Sequence, residues 1–582
     1  MKTVIAAINS KYIHSSLAAW YLKANCSESC GQVEVSEYTI NDLIDNILIS
    51  LYQKKADVIA FSCYIWNYEI VLKLTASLKK VCPQTLIVLG GPEVSYNAVQ
   101  ILKNNSSVDF IISGEGEVVL DSLLHSLNLN QPNMLDKIEG LYYRNKNKLN
   151  GLGGFSLVRN LEAIKSPYTE EMLQSIGSRI VYFESSRGCP FSCSYCISST
   201  FEGVRYFPME RVKSELKGLI NRGVKQIKFV DRTFNSHKQR AKEIFEFIIQ
   251  HSVKTAFHFE VAADLFDEEM FNLLSKAPKG LIQFEIGIQT VNADTLNAIK
   301  RKTDLTLVFK NVTTLVNMGL FHIHLDLIAG LPKEDYESFK YSFDSVYRLK
   351  PHNLQVGFLK MLKGSSILSN ADIEGYKYRE YAPYEVLENK YITFDTLCEL
   401  KKVEEIVERY YNQGRFIKTL DYIIAKHYKT PFEFYYSFMK YNSENGYLNR
   451  PLAARELYDV LYGFLVETMG GEKLLYLKNL MKLDFLLSDN SSNLPKCLSR
   501  TFEDNFKYKC LEFLKRTENI EEYLPSYTGI SPVQIFKHIH FEVFDYDVTA
   551  ENIILKDRCE ILIDYGKRDQ VSGLYEFYPV QL

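Results

Sequence analysis

Arg187-Gly188-Cys189-Pro190-Phe191-Ser192-Cys193-Ser194-Tyr195-Cys196 is the stretch from which the rest of the chain is read. Its cysteines fall as C-x3-C-x2-C, so three thiolates stand on one short loop with no fourth beside them. Iron–sulfur cubanes are usually held by four cysteine thiolates. A cubane on this loop keeps one iron open, and an open coordination position is what a reactive metal centre needs. The competing readings are half of a zinc site or coincidence. No further Cys-x2-Cys or His pair lies nearby to complete a zinc site.

The chain around this loop is long and ordinary in composition. At 582 residues it exceeds one hydrophobic core, so about two to four domains are expected. A formal net charge of −3 leaves no electrostatic footprint for nucleic acid. No apolar run of about 18 residues appears, so no membrane span is expected. The first residues turn polar too soon for a secretory signal. The remaining cysteines therefore read as reduced thiols, and the expected location is the cytoplasm. Thirty-nine tyrosines, many of them beyond residue 376, suggest packing between helices and a wall around an apolar substrate.

Upstream of the cysteines, apolar runs at 4–8, 33–38, 58–62, 86–89 and 110–113 alternate with helical patterns. This is the signature of a doubly wound, Rossmann-like parallel sheet over residues 1–136. In such sheets ligands bind outside the carboxyl ends of the strands. Those ends carry His14, then Ser62 and Tyr64, then Gly90-Gly91-Pro92-Glu93, then Gly114-Glu115-Gly116-Glu117. A polar, glycine-containing stretch at 137–179 reads as a linker. From residue 180 the β-α alternation restarts, with strands at 180–184, 226–230, 256–261, 281–288, 322–329 and 354–358. Six βα units predict a partial (β/α)6 barrel over 180–365, with the cysteine loop after its first strand. Barrel chemistry gathers at the carboxyl ends of strands. Residues 366–582 read as a mainly helical domain with a small antiparallel tail, whose expected job is to close the barrel mouth and select the substrate. The overall fold class is α/β.

The cysteine spacing, with Tyr195 before the last thiol, resembles the radical SAM superfamily, in which the open iron binds the amine and carboxylate of S-adenosylmethionine (SAM). Glu260, Gln289, Arg301 and Asp326 resemble the SAM contacts of the oxygen-independent coproporphyrinogen oxidase and methylthiotransferase relatives. The resemblance implies ribose contacts from the carboxylates and the amide, and an Arg fork for the SAM carboxylate. Asp231, in Asp231-Arg232-Thr233, occupies the place where the superfamily binds the SAM amine, although the usual glycine-rich turn is missing. A helix cap is the alternative for Asp231.

The N-terminal loops together resemble the cobalamin-binding domain of the B12-dependent branch. That likeness implies a groove for the cofactor's nucleotide tail along Gly90, Gly91, Pro92, Glu93 and the 114–117 loop, with Ser62 and Tyr64 beside it. His14 stands close to the cobalt-ligating His of other cobalamin domains. Tyr12 and Leu17 replace the Asp and Gly of that motif. The expected state is cobalamin with no protein imidazole beneath the metal; His14 as cobalt ligand, or as partner of a corrin amide, are the alternatives. The family likeness implies a [4Fe-4S] cluster, SAM and cobalamin as cofactors. It also implies reductive cleavage of SAM to a 5′-deoxyadenosyl radical and methylation of an unactivated carbon in a small molecule or peptide. A non-methylating cyclase or rearrangement enzyme, and a sensor without turnover, are the rivals. A flavodoxin- or ferredoxin-type reductase and a monomeric state complete the expectations.

Overall fold

The computed structural model describes residues 1–582 except 146–147, 201–202, 253, 492, 501–503 and 551–553. The first sheet contains β1 (Lys2–Asn9), β2 (Gln32–Thr39), β3 (Val58–Ser62), β4 (Leu86–Gly90), β5 (Phe110–Ile112), β6 (Leu141–Asn145) and β7 (Lys148–Asn150). Their spatial order is β2-β1-β3-β4-β5-β6-β7, and β1 to β5 run parallel. Strands β3 and β4 are apolar and buried on both faces, as a parallel sheet between helix layers requires. β6 pairs antiparallel with β5, and β7 antiparallel with β6. The first part of the stretch expected as a linker is thus the end of this sheet.

The second sheet has the order β15-β14-β13-β12-β11-β8, all parallel. Its strands are β8 (Val181–Phe183), β11 (Gln226–Phe229), β12 (Ala256–Glu260), β13 (Ile282–Gln289), β14 (His322–Ala329) and β15 (Asn353–Phe358). Between β8 and β11 lies a hairpin of β9 (Ser186–Gly188) and β10 (Val204–Tyr206). All six barrel strands begin and end within two residues of their expected bounds. In β13 and β14 every second residue is fully buried against the helices, and its neighbours are not. The alternation has period two, so Gln283, Glu285, Gly287 and Gln289 share the inner face with His322, His324 and Asp326 on the next strand. The lumen of this partial barrel is therefore polar.

The first domain also seals one edge of the barrel. Ile180 N donates to Ile13 O at 3.0 Å, and the Ser15 hydroxyl donates to Ile180 O at 2.9 Å. At the other edge, Val386 N donates to Leu359 O and Met361 N to Tyr384 O, both at 2.9 Å. This brings β16 (Lys377–Tyr378) and β17 (Val386–Glu388) alongside the end of β15.

The C-terminal helices sit elsewhere than expected. Helix Phe394–Tyr410 packs on β15, and helix Pro431–Glu444 packs on the barrel helix Tyr336–Tyr347. They share one continuous core with the barrel. Tyr410, Tyr435, Tyr458 and Tyr476 are fully buried in it. These four tyrosines pack helices together. The tail sheet of β18 (Ile539–Phe544), β19 (Cys559–Arg568) and β20 (Tyr575–Val580) sends its last turn under the barrel. There Lys279 pairs with Asp569, and a Cβ at Gly280 would lie 2.6 Å from that of Gln570. Residue 280 precedes β13, so the tail reaches the amino ends of the strands. The helical region occupies the flank and floor, because its apolar faces match the outer barrel helices. The mouth is bordered by residues 359–391 and by the first domain.

Candidate active site

The cysteine loop leaves β9 at the carboxyl end of the barrel and is gripped from two sides. Ser194 N donates to Ile299 O at 2.9 Å, and Ile367 N donates to Ser194 O at 2.8 Å. Cys189 Sγ lies 3.6 Å from Thr233 Oγ1, and Cys196 Sγ accepts from Ser198 N at 3.4 Å. Burial pushes the Cys193 thiol up, while Arg301 pulls it down. The donor set fits a group that takes three sulfur ligands from one short loop.

Gly287 is the point around which the predicted SAM contacts gather. Arg301 Nη2 donates to Gly287 O. Arg301 Nη1 lies 3.3 Å from Tyr195 Oη and 3.8 Å from Cys193 Sγ. A register shift between Gly287 and Gln289 bulges β13, and Gln289 adopts a left-handed φ of 72°. Such a conformation costs a non-glycine residue about 1–3 kcal/mol, and here it folds the Gln289 amide back over Gly287. A Cβ at residue 287 would overlap Gln289 Nε2, so any larger residue there would displace the Gln289 amide. Asp326 is the register partner of Gly287 on β14. Gln289 Oε1, Asp326 Oδ1 and Arg301 Nε are buried with no hydrogen-bond partner among the described residues. Buried polar atoms are normally paired, so two acceptors and one donor waiting together mark a polar ligand site. Their chemistry fits vicinal hydroxyls and a carboxylate.

Glu260, at the end of β12, is raised to about 7 by burial, with Arg232 pulling the other way. Arg232 is exposed and makes no ion pair among the described residues. Asp231, expected at the SAM amine, is instead engaged within the protein. It accepts from Ser185 N at 2.9 Å, Ser185 Oγ at 2.6 Å and Ser186 Oγ at 2.5 Å. These bonds tie the end of β11 to the end of β8, just ahead of the cysteine loop.

In the first domain, strand order reverses between β1 and β3, which opens the ligand crevice at their carboxyl ends. Trp66 Nε1 and Asn67 Nδ2 both donate to Ile8 O there, at 3.1 and 3.0 Å. Tyr64 stacks on Trp66 with centroids 4.5 Å apart. Ser62 Oγ is buried without a hydrogen-bond partner among the described residues, and its register partner is Gly90. This orphan fits a cofactor at the crevice. Gly91 has φ +105°, and a Cβ there would lie 2.6 Å from Cys63 O, so its close approach is to the protein's own backbone. Pro92 opens a short helical turn that Gly91 precedes. Gly114 likewise bridges to Ser156, while Gly116 faces Leu22.

The three acids expected in the groove clasp the domains together instead. Glu93 pairs with Lys363 at 2.6 Å and accepts from the Tyr384 hydroxyl. Glu115 pairs with Arg205 at 2.7 Å. Arg187 meets Glu117 at 2.6 Å, Glu184 at 3.0 Å and Glu115 at 3.6 Å. His14 is drawn to the barrel: its Nδ1 lies 2.6 Å from the Tyr182 hydroxyl, and Arg179 donates to its carbonyl at 3.3 Å. Burial, then Lys11, lowers its pKa.

Arg187→Ala removes the cation shared by three carboxylates. We expect a loss of about 3–5 kcal/mol of interdomain packing, read as faster limited proteolysis between residues 137 and 180. Burial alone would raise Glu115, but Arg205 and Arg187 outweigh it and hold it low. A lowered carboxyl stabilises above its unfolded pKa and loses that effect as pH falls through its folded one. Glu184 acts in reverse: burial raises it to about 7, so its charge costs stability as pH rises through that value. The clasp is therefore tightest in mildly acidic solution. Proteolysis rates for the wild type that stay flat across this range would contradict the assignment.

Sequence reading missed Tyr182, Glu184, Arg187, Glu285 and His324. The alternation in Ile282–Gln289 and His322–Ala329 carried a signal for two of them, since Glu285 and His324 fall on the face of Gln289 and Asp326.

Comparison with known proteins agrees with this layout. Residues 3–124 match the B12 binding domain, 183–346 the radical SAM superfamily, and 374–563 a protein family of unknown function, DUF4080. The cobalamin-dependent radical SAM methyltransferase TokK of Streptomyces tokunonensis is 24% identical over 353 residues, covering 56% of this chain and 50% of TokK. The anaerobic magnesium-protoporphyrin IX monomethyl ester cyclase of Synechocystis is 26% identical, covering 40% of this chain and 48% of the cyclase. The chain thus spans about half the length of the curated relatives it matches. The solved structure of the cobalamin-dependent SAM radical enzyme OxsB superposes with a TM-score of 0.60 at 14% identity, covering 87% of this chain and 82% of OxsB. In series along the chain, then, stand a region that matches the B12 binding domain, one that matches the radical SAM superfamily and one that matches DUF4080.

Proposed function

We propose that this protein is a cobalamin-dependent radical SAM enzyme that methylates an unactivated carbon of a small molecule or peptide. The observation that carries the reading is Arg301. It joins Cys193 and Tyr195 of the cysteine loop to Gly287, where the buried acceptors Gln289 Oε1 and Asp326 Oδ1 lack a hydrogen bond among the described residues. Cys189, Cys193 and Cys196 would hold a [4Fe-4S] cluster. Gln289 and Asp326 would accept hydrogen bonds from the ribose of SAM, and Arg301 Nε would meet its carboxylate. Ser62, Tyr64 and the 90–92 turn would hold cobalamin at the crevice of the first domain. Bound together, these groups would supply radical chemistry and methyl transfer. The chain's own contribution is alignment and exclusion of water, and alignment of this kind is worth roughly 7–11 kcal/mol. Tyr195, Arg301 and the strap at 366–367 keep the cysteine loop fixed for this purpose. His14 is held by the Tyr182 hydroxyl within the protein.

Among the described residues no helix is long and apolar enough to cross a membrane. We place the enzyme in the cytoplasm as a monomer, reduced by a flavodoxin- or ferredoxin-type partner. Likeness to the Synechocystis cyclase favours a second reading, a B12-radical enzyme that does not methylate. The test is anaerobic reconstitution with iron, sulfide and hydroxocobalamin. Reduction then follows with SAM and cell extract, and the small molecules are analysed by mass spectrometry. Methylation yields both 5′-deoxyadenosine and S-adenosylhomocysteine; the second reading yields 5′-deoxyadenosine alone. Neither product, with cluster and cobalamin bound, leaves only a sensor.

A further inference from the structure

His324 lies on the same inner face of β14 as Asp326, one pleat deeper, and pairs in register with Glu285. Its Nε2 is 2.9 Å from Asp326 Oδ1, and both side chains are largely buried. Despite that closeness neither atom makes a hydrogen bond to a described residue, because the two are not aligned for one. A donor and an acceptor that touch without being aligned on each other can both be met by one group lying beside them. A hydroxyl is such a group, since a hydroxyl accepts from one neighbour while donating to another. Gln289 Oε1, folded over the register partner of Asp326, is the third unpaired atom at this end of the lumen.

We propose that His324 is a ribose-binding residue: its Nε2–H donates to the SAM hydroxyl whose own proton goes to Asp326 Oδ1, while the second hydroxyl donates to Gln289 Oε1. This deepens the SAM reading above and rests on it. The charged and titratable groups facing His324 are Asp326 and His322 on β14, Glu285 on β13, His258 on β12 and Lys228 on β11. Glu285 is itself held by His258 Nε2 at 2.8 Å and Lys228 Nζ at 3.0 Å, so it is committed below the site. Burial alone would lower the His324 pKa, and Asp326 outweighs it, so the imidazole is raised and its protonated form favoured. That form is the stronger donor.

The test is anaerobic equilibrium dialysis of the oxidised, cluster-loaded full chain with SAM and with its 2′-deoxy and 3′-deoxy forms. Wild type is expected to bind one deoxy form about tenfold more weakly than SAM. His324→Leu should lose about tenfold on SAM and cease to discriminate against that form. His324→Gln, which keeps an N–H donor, should stay within about threefold of wild type. SAM binding by wild type should weaken as pH rises through the imidazolium range, and His324→Gln should lack that limb. A His324→Leu protein that binds SAM like wild type overturns the proposal. If that variant does not load a cluster, an unchanged pH limb in His324→Gln overturns it instead. Asp326→Asn tells the two failures apart: unchanged SAM affinity there removes the ribose site itself, whereas weakened affinity there with an inert His324 removes only the role of His324.

Discussion

Cys193→Ala, reconstituted anaerobically with iron and sulfide, will take up no stable cubane and will form 5′-deoxyadenosine from SAM at least about a thousandfold more slowly than wild type, a loss of ~4 kcal/mol or more. The reason is that the loop provides three sulfur ligands and nothing near it replaces one. Ser194 and the neighbouring strap hold the backbone by main-chain bonds that the substitution leaves intact. The variant should therefore stay folded, and its far-UV circular dichroism should match wild type. Iron content and the visible absorbance of the cluster give the first readout, and product formation the second. A variant that keeps both would remove the basis for the entire site.

Arg301→Leu is expected to weaken SAM binding and cleavage by roughly a hundredfold, since hydrogen bonds to charged groups contribute about 1.5–3 kcal/mol. The guanidinium reaches the cysteine loop with one nitrogen and Gly287 O with another. Its third, Nε, is buried and unpaired. Losing it leaves Gly287 O without its donor and Tyr195 without its partner. Arg301→Lys keeps the charge but cannot span the three positions, so it should recover little. The cluster should still assemble in both variants, because all three cysteines remain. Its EPR response to added SAM should be lost in Arg301→Leu. A SAM-induced spectral change equal to that of wild type would show that Arg301 does not face the cofactor.

Much of this fold was legible because its strands are long, apolar and regularly spaced. The six barrel strands and the helix Tyr68–Val81 could be placed from periodicity alone. The short strands β6 and β7 were not, since strands of five and three residues with polar ends do not differ in pattern from a loop. The C-terminal helices were legible as helices but not in position. An amphipathic pattern says that a face is buried, not against what. Tyr410 and Tyr435 pack into the core shared with the barrel helices, and nothing in their spacing distinguishes that from a substrate wall.

The sequence by itself determined the three-cysteine loop, the two α/β domains in series, and the letters at the strand ends. Those follow from local spacing, which a single chain displays in full. Only the tertiary structure decided what the polar residues at those ends do. Glu93, Glu115 and Glu117 found cations from the barrel and the segment after it, and Asp231 found two serines that follow the neighbouring strand. Tyr182 found His14 across 168 residues. A buried carboxylate must be paired or protonated, and its partner comes from whichever element folding brings within about 3 Å. Gln289 Oε1 met no such partner and Asp326 Oδ1 only the misaligned His324, so these are the acceptors that remain for a ligand.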